Sequence, residues 1–393
     1  LKTRLIAFVA VLSSALTFIL VAATPPAQAQ TFTDLYNFTG SSDGKNPYGS
    51  LVRDAAGNLY GTTAYGGSSN AGTVFKVDKS GAETLLYNFT GGADGGEPYA
   101  GLIRDASGNL YGTTYNGGLS GVGTVFKVDA SGTETVLHSF ATGGQDGCNP
   151  GGGLVRDKAG NLYGTTTGCG SSGFGIVFKL NKSGTETVLH AFTGGRDGGA
   201  PYAGLARDSS GNLYGTTPFG GSASYGVVFK VNPSGKETVL HSFAGGASDG
   251  CSPTATPALD EKGNLYGTAD ACDPSNWGII WKVTQKKVET VLHNFAGGET
   301  DGGYPYAGVI LDANSNLYGT TGEGGGTGCS NGLGCGTVYK LSKARKLTLL
   351  HSFTGADGSS PFGAVIRDAS GNLYGTALEG GSGGYGTVWQ ITK

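Results

Sequence analysis

The stretch Gly57-Asn58-Leu59-Tyr60-Gly61-Thr62-Thr63 decides the fold because it recurs along the chain. Its core, NLYGT, starts at Asn58, Asn109, Asn161, Asn212, Asn264, Asn316 and Asn372, at intervals of 51, 52, 51, 52, 52 and 56 residues. A fixed period of that length marks a stack or ring of supersecondary units. Each unit carries four short strand candidates. In the second unit they are residues 99–104 (YAGLIR, strand A), 109–114 (NLYGTT, B), 124–128 (TVFKV, C) and 134–140 (ETVLHSF, D). The A–B and C–D links, DASGN and DASGT, are hairpin turns in which glycine supplies positive φ. The D–A and B–C links are longer and vary more between units.

Four antiparallel strands per period, repeated several times, is the pattern of a β-propeller. The ends of the repeat region strengthen this reading. TFTDLYNF at residues 31–38 aligns with D strands such as ETLLYNF, while the chain ends on TVWQITK, a C strand with no D strand after it. A ring closed by its own N-terminal strand uses that displacement, whereas a linear solenoid does not. The expected fold is therefore all-β: a seven-bladed β-propeller of four antiparallel strands per blade, spanning residues 30–393. Lys76, Lys127, Lys179, Lys230 and Lys282 each precede a glutamate, Glu83, Glu134, Glu186, Glu237 or Glu289, by seven residues. These pairs are expected to face each other across the C–D hairpin to within one residue of register, close enough for opposite charges to attract, with Gln390 and Phe32 in their places at the closing blade.

Composition agrees with a turn-rich β protein. The 393 residues include 75 glycines without a G-X-Y triplet, along with 19 Tyr and 17 Phe. A net charge of −3 gives no reason to expect a nucleic-acid partner. Residues 1–29 read as a secretory signal peptide, with Lys2 and Arg4 before the apolar run 5–23 and Ala27-Gln28-Ala29 as cleavage site. Cleavage after Ala29 would leave no membrane span. The chain opens on Leu1 and has no Met, which reads as a fragment or a non-AUG start.

Taken together, NLYGTT, GTVFKV, SGTETVLHSF and GGxDGxxPYAGL make the chain resemble the GloVer tandem-repeat family of secreted bacterial proteins, also labelled choice-of-anchor. The resemblance covers residues 31–393. It implies a secreted or periplasmic repeat protein and supplies no catalytic residues. Family members typically carry a C-terminal sorting tail, and the ending Ile391-Thr392-Lys393 departs from that, so free secretion or periplasmic residence is expected.

In an up-and-down blade the D–A and B–C loops share one face, and function concentrates on loops held by a rigid frame. That topology pairs Cys148 with Cys169, Cys251 with Cys272, and Cys329 with Cys335 as disulfides, which an exported chain would keep oxidised. The histidines His138, His190, His241, His293 and His351 share one D-strand register with Tyr36 and Tyr87. Strand spacing puts D strands roughly 20 Å from the axis, too far apart for these residues to share a metal, so they are expected to pack between blades. Asp43, Asp94, Asp146, Asp197, Asp249, Asp301 and Asp357 recur in the D–A loops and read as loop caps. Neither a metal nor a cofactor is expected.

Aromatics carry the functional expectation. Tyr48, Tyr99, Tyr202, Tyr306 and Phe362 follow the loop proline at the entrance to the innermost strand, where they could form a collar at the channel mouth. Gly151 and Thr254 interrupt that series, and both lie in loops that contain a cysteine. Tyr65, Tyr115 and Trp277 in the B–C loops extend the candidate ligand-binding set. No triad, zinc motif or phosphate loop appears, so no catalytic residue is assigned. The reading is a monomeric, secreted or periplasmic binding or adhesion protein for a polysaccharide or cell-surface glycoprotein. A propeller lyase or hydrolase is one alternative, resting on the loop-face carboxylates Glu97, Asp270, Asp273, Glu299, Glu323 and Glu379. A purely structural envelope protein is the other.

Overall fold

A computed structural model of the chain describes residues 30–270, 277–326, 328–329 and 332–393. It is an all-β ring of seven antiparallel four-stranded sheets. In the first blade the A strand is Val52–Arg53, B is Leu59–Thr63, C is Thr73–Val77 and D is Glu83–Asn88. The strand Thr31–Asn37 pairs with Thr387–Thr392 and is the missing D strand of the last blade. Thr31 lies opposite Thr392 and Asn37 opposite Thr387, so the ends of the repeat region close the ring. Among the described residues no helix is long and apolar enough to cross a membrane. The signal peptide expected at residues 1–29 lies outside the described residues.

Each position of NLYGTT has a partner that explains its recurrence. In the first blade the Asn58 side-chain amide and the Tyr60 hydroxyl both donate to Asp54, at 2.7 and 3.0 Å. Leu59 is in the core. Gly61 lies opposite Phe75, and a Cβ there would come within 2.6 Å of the Phe75 ring. Only glycine leaves room for that ring. The Thr62 hydroxyl donates to the carbonyl of Ala100 in the next blade at 2.9 Å, and Thr113, Thr165, Thr216, Thr268, Thr320 and Thr376 repeat this bond around the ring. Thr63 stays within its own blade, bonded to Thr73 at 2.8 Å.

Aromatic contacts join neighbouring blades in the same regular way. Phe38, at the end of the last blade's D strand, packs edge-on against Phe75 of the first blade, with centroids 5.1 Å apart. Phe89–Phe126, Phe140–Phe178, Phe192–Phe229, Phe243–Trp281, Phe295–Tyr339 and Phe353–Trp389 repeat the contact at the other seams. Such pairs contribute roughly 0.5–1.5 kcal/mol each beyond area burial.

Two expectations need correction. The A strand of the second blade is a ladder only at Ile103–Arg104, because the segment before it packs against the neighbouring blade. A Cβ on Gly101 would lie 2.5 Å from the Ser50 carbonyl oxygen, so the innermost segments touch through glycine. The Lys–Glu pairs do not form either. Lys127 lies opposite Thr135, and Glu134 lies opposite Val128. A one-residue offset turns the two side chains to opposite faces of the sheet. The same register holds for Lys76, Lys179, Lys230 and Lys282. The ammonium groups of Lys230 and Lys282 instead lie over the rings of Tyr214 and Tyr266, at 5.8 and 5.3 Å.

Candidate functional site

The D–A and B–C loops of every blade meet on one face. Short antiparallel bridges join Lys45 to Tyr65, Gly96 to Asn116, Gly199 to Phe219, Gly303 to Glu323 and Ser359 to Glu379. In the third blade Gly147–Cys148 pairs with Gly168–Cys169, and the Cys148–Cys169 disulfide crosses this ladder. Cys329–Cys335 is also formed. Cys251 is buried, and its expected partner Cys272 lies outside the described residues, as does Asp273.

The residue before each loop proline is Asn46, Glu97, Asn149, Ala200, Ser252, Tyr304 or Ser360, and all seven have φ between 45 and 57°. Left-handed backbone is uncommon for these residue types and is kept only where the surroundings hold it. Here a backbone bond does so. The Glu97 N–H donates to the Ala71 carbonyl and the Tyr304 N–H to the Trp277 carbonyl, each at 2.8 Å across a seam. The brace uses main chain alone, so the side chains are free to differ between blades. The sequence reading missed this position, although X-Pro in seven aligned loops was its visible signal.

On the axis of this face opens a cavity of about 1380 Å³. Its rim contains Tyr48, Tyr99, Tyr202, Tyr306 and Phe362, with Tyr65 and Tyr115 beside them, and its inner wall is apolar. Four of these rings form a continuous arc: Tyr306–Phe362 at 4.8 Å, Phe362–Tyr48 at 5.4 Å and Tyr48–Tyr99 at 5.4 Å between centroids. Tyr65 and Tyr115 both lean on Tyr99, and the Tyr99 hydroxyl is bonded to Tyr65 at 2.6 Å and to Glu97 at 2.8 Å. Burial and these two bonds raise the Tyr99 hydroxyl above its ordinary pKa. Tyr202 stands on the other side, 44% exposed, between the gaps at Gly151 and Thr254. Trp277 does not line the cavity. It packs on Tyr304 at 5.5 Å and over Gly297 and Gly303 of the next blade.

Glu379 is the charged residue in the lining. Burial pushes the Tyr306 hydroxyl up to about 12, aided by Asp270 and Glu323 nearby. Burial, and then Asp270, also raises the Glu323 carboxyl. Glu299 is exposed.

The histidines and loop aspartates lie away from the cavity, in the seams. Asp43 accepts from the Thr39 N–H, the Thr39 hydroxyl and the Tyr36 hydroxyl, at 2.7, 2.7 and 3.0 Å. His241, His293 and His351 take the place of Tyr36 beside Asp249, Asp301 and Asp357, at 2.6, 2.8 and 2.8 Å. Facing Asp43, Asp94, Asp146, Asp197 and Asp249 from the next blade are Glu83, Glu134, Glu186, Glu237 and Glu289, each with a buried oxygen that has no hydrogen-bond partner. Burial raises each of these carboxyls to about 7, and the loop aspartate opposite adds to the effect. At one seam the ligand atoms of His138, Asp146 and Glu186 come within 4.8 Å of one another, the only such group among the described residues that could hold a metal ion. The equivalent seams with Tyr36 or Tyr87 lack its nitrogen, so the shared feature is the carboxyl pair.

The fold and its repeat define a class of tandem-repeat β-propellers. The sequence profile of the Gloeobacter/Verrucomicrobia repeat family matches residues 20–217, 81–261 and 202–393, and the chain belongs to this family. No curated protein matches it. Among solved structures it is similar to the extracellular domain of a one-component system of B. thetaiotaomicron. That match has 11% identity and a TM-score of 0.56, and covers 91% of this chain and 39% of the other. A puromycin-hydrolyzing peptidase of Mycobacterium tuberculosis matches at 12% identity and a TM-score of 0.51, over 89% of this chain and 53% of that one. A protein assigned as a 6-phosphogluconolactonase of Bacteroides uniformis matches at 17% and 0.50, over 78% and 84%. At these identities the likeness is one of fold alone. The chain spans well under two thirds of the first two.

Proposed function

We propose that the protein is an exported binding propeller, cleaved after Ala29, that recognises a polysaccharide or glycosylated surface at the D–A/B–C face. The aromatic-rimmed cavity on the ring axis carries the reading. Tyrosines offer apolar area at little entropic cost together with a polar tip, which suits the mixed faces of a sugar ring. Among the described residues no Lys, Arg or His lines the cavity, so ligand selection rests on stacking, hydroxyl contacts and the Glu379 carboxylate. The disulfides fit an oxidising compartment. The test is a glycan array probed with the mature protein. Retention on a subset of polysaccharide probes is expected, and an array with no retained probe overturns the reading.

A second reading has its own observation. Asp270 and Glu323 lie near the rim residue Tyr306, and the upward shift of the Glu323 carboxyl is in the direction a general acid requires. Release of new reducing ends from a polysaccharide that is retained on the array, lost in Glu323→Gln, would favour a hydrolase.

A further inference from the structure

The collar is not a seven-fold array, and its break has a definite shape. Tyr306, Phe362, Tyr48 and Tyr99 spend their ring surfaces on one another, and Tyr99 is further fixed by Tyr65 and Glu97. Among the described residues no aromatic ring packs against Tyr202, which is 44% exposed. Beside it the third blade contributes Gly151, Gly152 and Gly153 to the cavity wall in place of an aromatic residue. A Cβ on Gly151 would meet Thr167, the Tyr202 carbonyl oxygen and the Tyr202 ring at 3.5, 3.6 and 3.7 Å, all ordinary contacts. The gap is therefore not imposed by crowding, and a side chain could stand there. Its far wall is Tyr115, whose carbonyl accepts from the Asn149 side-chain amide at 3.0 Å. The Cys148–Cys169 disulfide ties together the two loops behind it.

We infer that this gap is the principal ligand subsite: a six-membered polyol ring stacks on Tyr202 over the glycine wall at Gly151, with Tyr115 opposite. The inference rests on the glycan reading and narrows it to one place and one stacking residue. The four-ring arc is then scaffold that holds the mouth open.

The experiment is titration calorimetry of the mature protein with cellohexaose, xylohexaose and mannohexaose, accompanied by melting curves. Against whichever hexaose binds, Tyr202→Ala is expected to be roughly tenfold weaker or worse, with little change in melting temperature because the side chain is half-exposed. Gly151→Trp fills the gap and is expected to abolish binding while leaving the fold intact. Tyr48→Leu, in the arc, is expected to lower the melting temperature and to change affinity less than about threefold. If Tyr202→Ala binds as well as the parent while Tyr48→Leu loses affinity, the subsite assignment is overturned and the glycan reading stands. If none of the hexaoses binds the parent protein, the subsite assignment is overturned, while the glycan reading stands or falls on the array.

Discussion

Glu134 lies one residue out of line with Lys127, and that step sends its carboxyl into a blade seam rather than onto a lysine. There it meets Asp94 of the preceding blade, as Glu83 meets Asp43 and Glu237 meets Asp197. Such a carboxyl ordinarily ionises at 4.5, and burial holds the proton here to about 7. Between those values the folded protein keeps protons that the unfolded chain has released, so stability falls as pH rises through this window. Asp34 at the closing seam acts in the same direction, raised to about 6 by burial and then by Asp357. Asp43 and Asp357 act oppositely. Burial would raise Asp357, but bonds from His351 and Thr354 outweigh it and hold it at about 2, so its contribution fades below its ordinary 3.8. The melting temperature is therefore expected to peak near about pH 4–5 and to fall toward pH 8. Scanning calorimetry across that range checks this, with Glu83→Gln, Glu134→Gln and Glu237→Gln combined to flatten the slope. A melting temperature that rises from pH 5 to pH 8 would refute the account in which seam burial keeps these glutamates protonated.

The strand Thr31–Asn37 has no hairpin to hold it in place, and its neighbours in the sheet come from the far end of the chain. The segment also delivers Phe38, which is fully buried against Phe75, and Phe32, which stacks on His351 at 3.6 Å. Deleting residues 30–38 is expected to cost more than about 3 kcal/mol, the loss typical of one buried Phe, and to expose an unpaired edge that aggregates. Urea unfolding and light scattering of the variant check this; an unchanged midpoint with a monodisperse peak would contradict it. Strand B, strand C and the ring closure were legible in the sequence because the NLYGT and TVFKV motifs and the turn chemistry between them repeat at one period. The exact C–D register was not, because the turn closed between Asp78 and Ala82 sets Val77 opposite Glu83 and Lys76 opposite Thr84, one residue away from a Lys–Glu pair. Strand A was read too long for a related reason. PYAGL looks like a strand, but its glycine serves contact between blades. The collar was legible from the residue after each loop proline. Its division into a locked arc and one open tyrosine was not, since that depends on which rings touch.

Across the whole molecule, seven nearly identical units build a frame that is regular in its seams and irregular at its mouth. The Thr-to-carbonyl bonds and edge-on aromatic pairs recur at every seam, so the frame itself does not distinguish one blade from another. The rim does: aromatic residues stand at five blades, while Gly151 and Thr254 stand at two. A ring of near-equivalent loops would offer repeated weak sites that gain through avidity. The observed rim offers one axial cavity that all seven blades share. Binding is therefore expected to saturate at one ligand chain per protein chain, even for an oligosaccharide long enough to touch several loops. Native mass spectrometry with a short and a long oligosaccharide of the same linkage measures this directly. A single bound ligand at both lengths, with similar affinity once the gap is filled, is the expected outcome. Several ligands bound to each chain, or affinity that climbs steeply with length, would place recognition on the loops as a repeating set and not at the mouth.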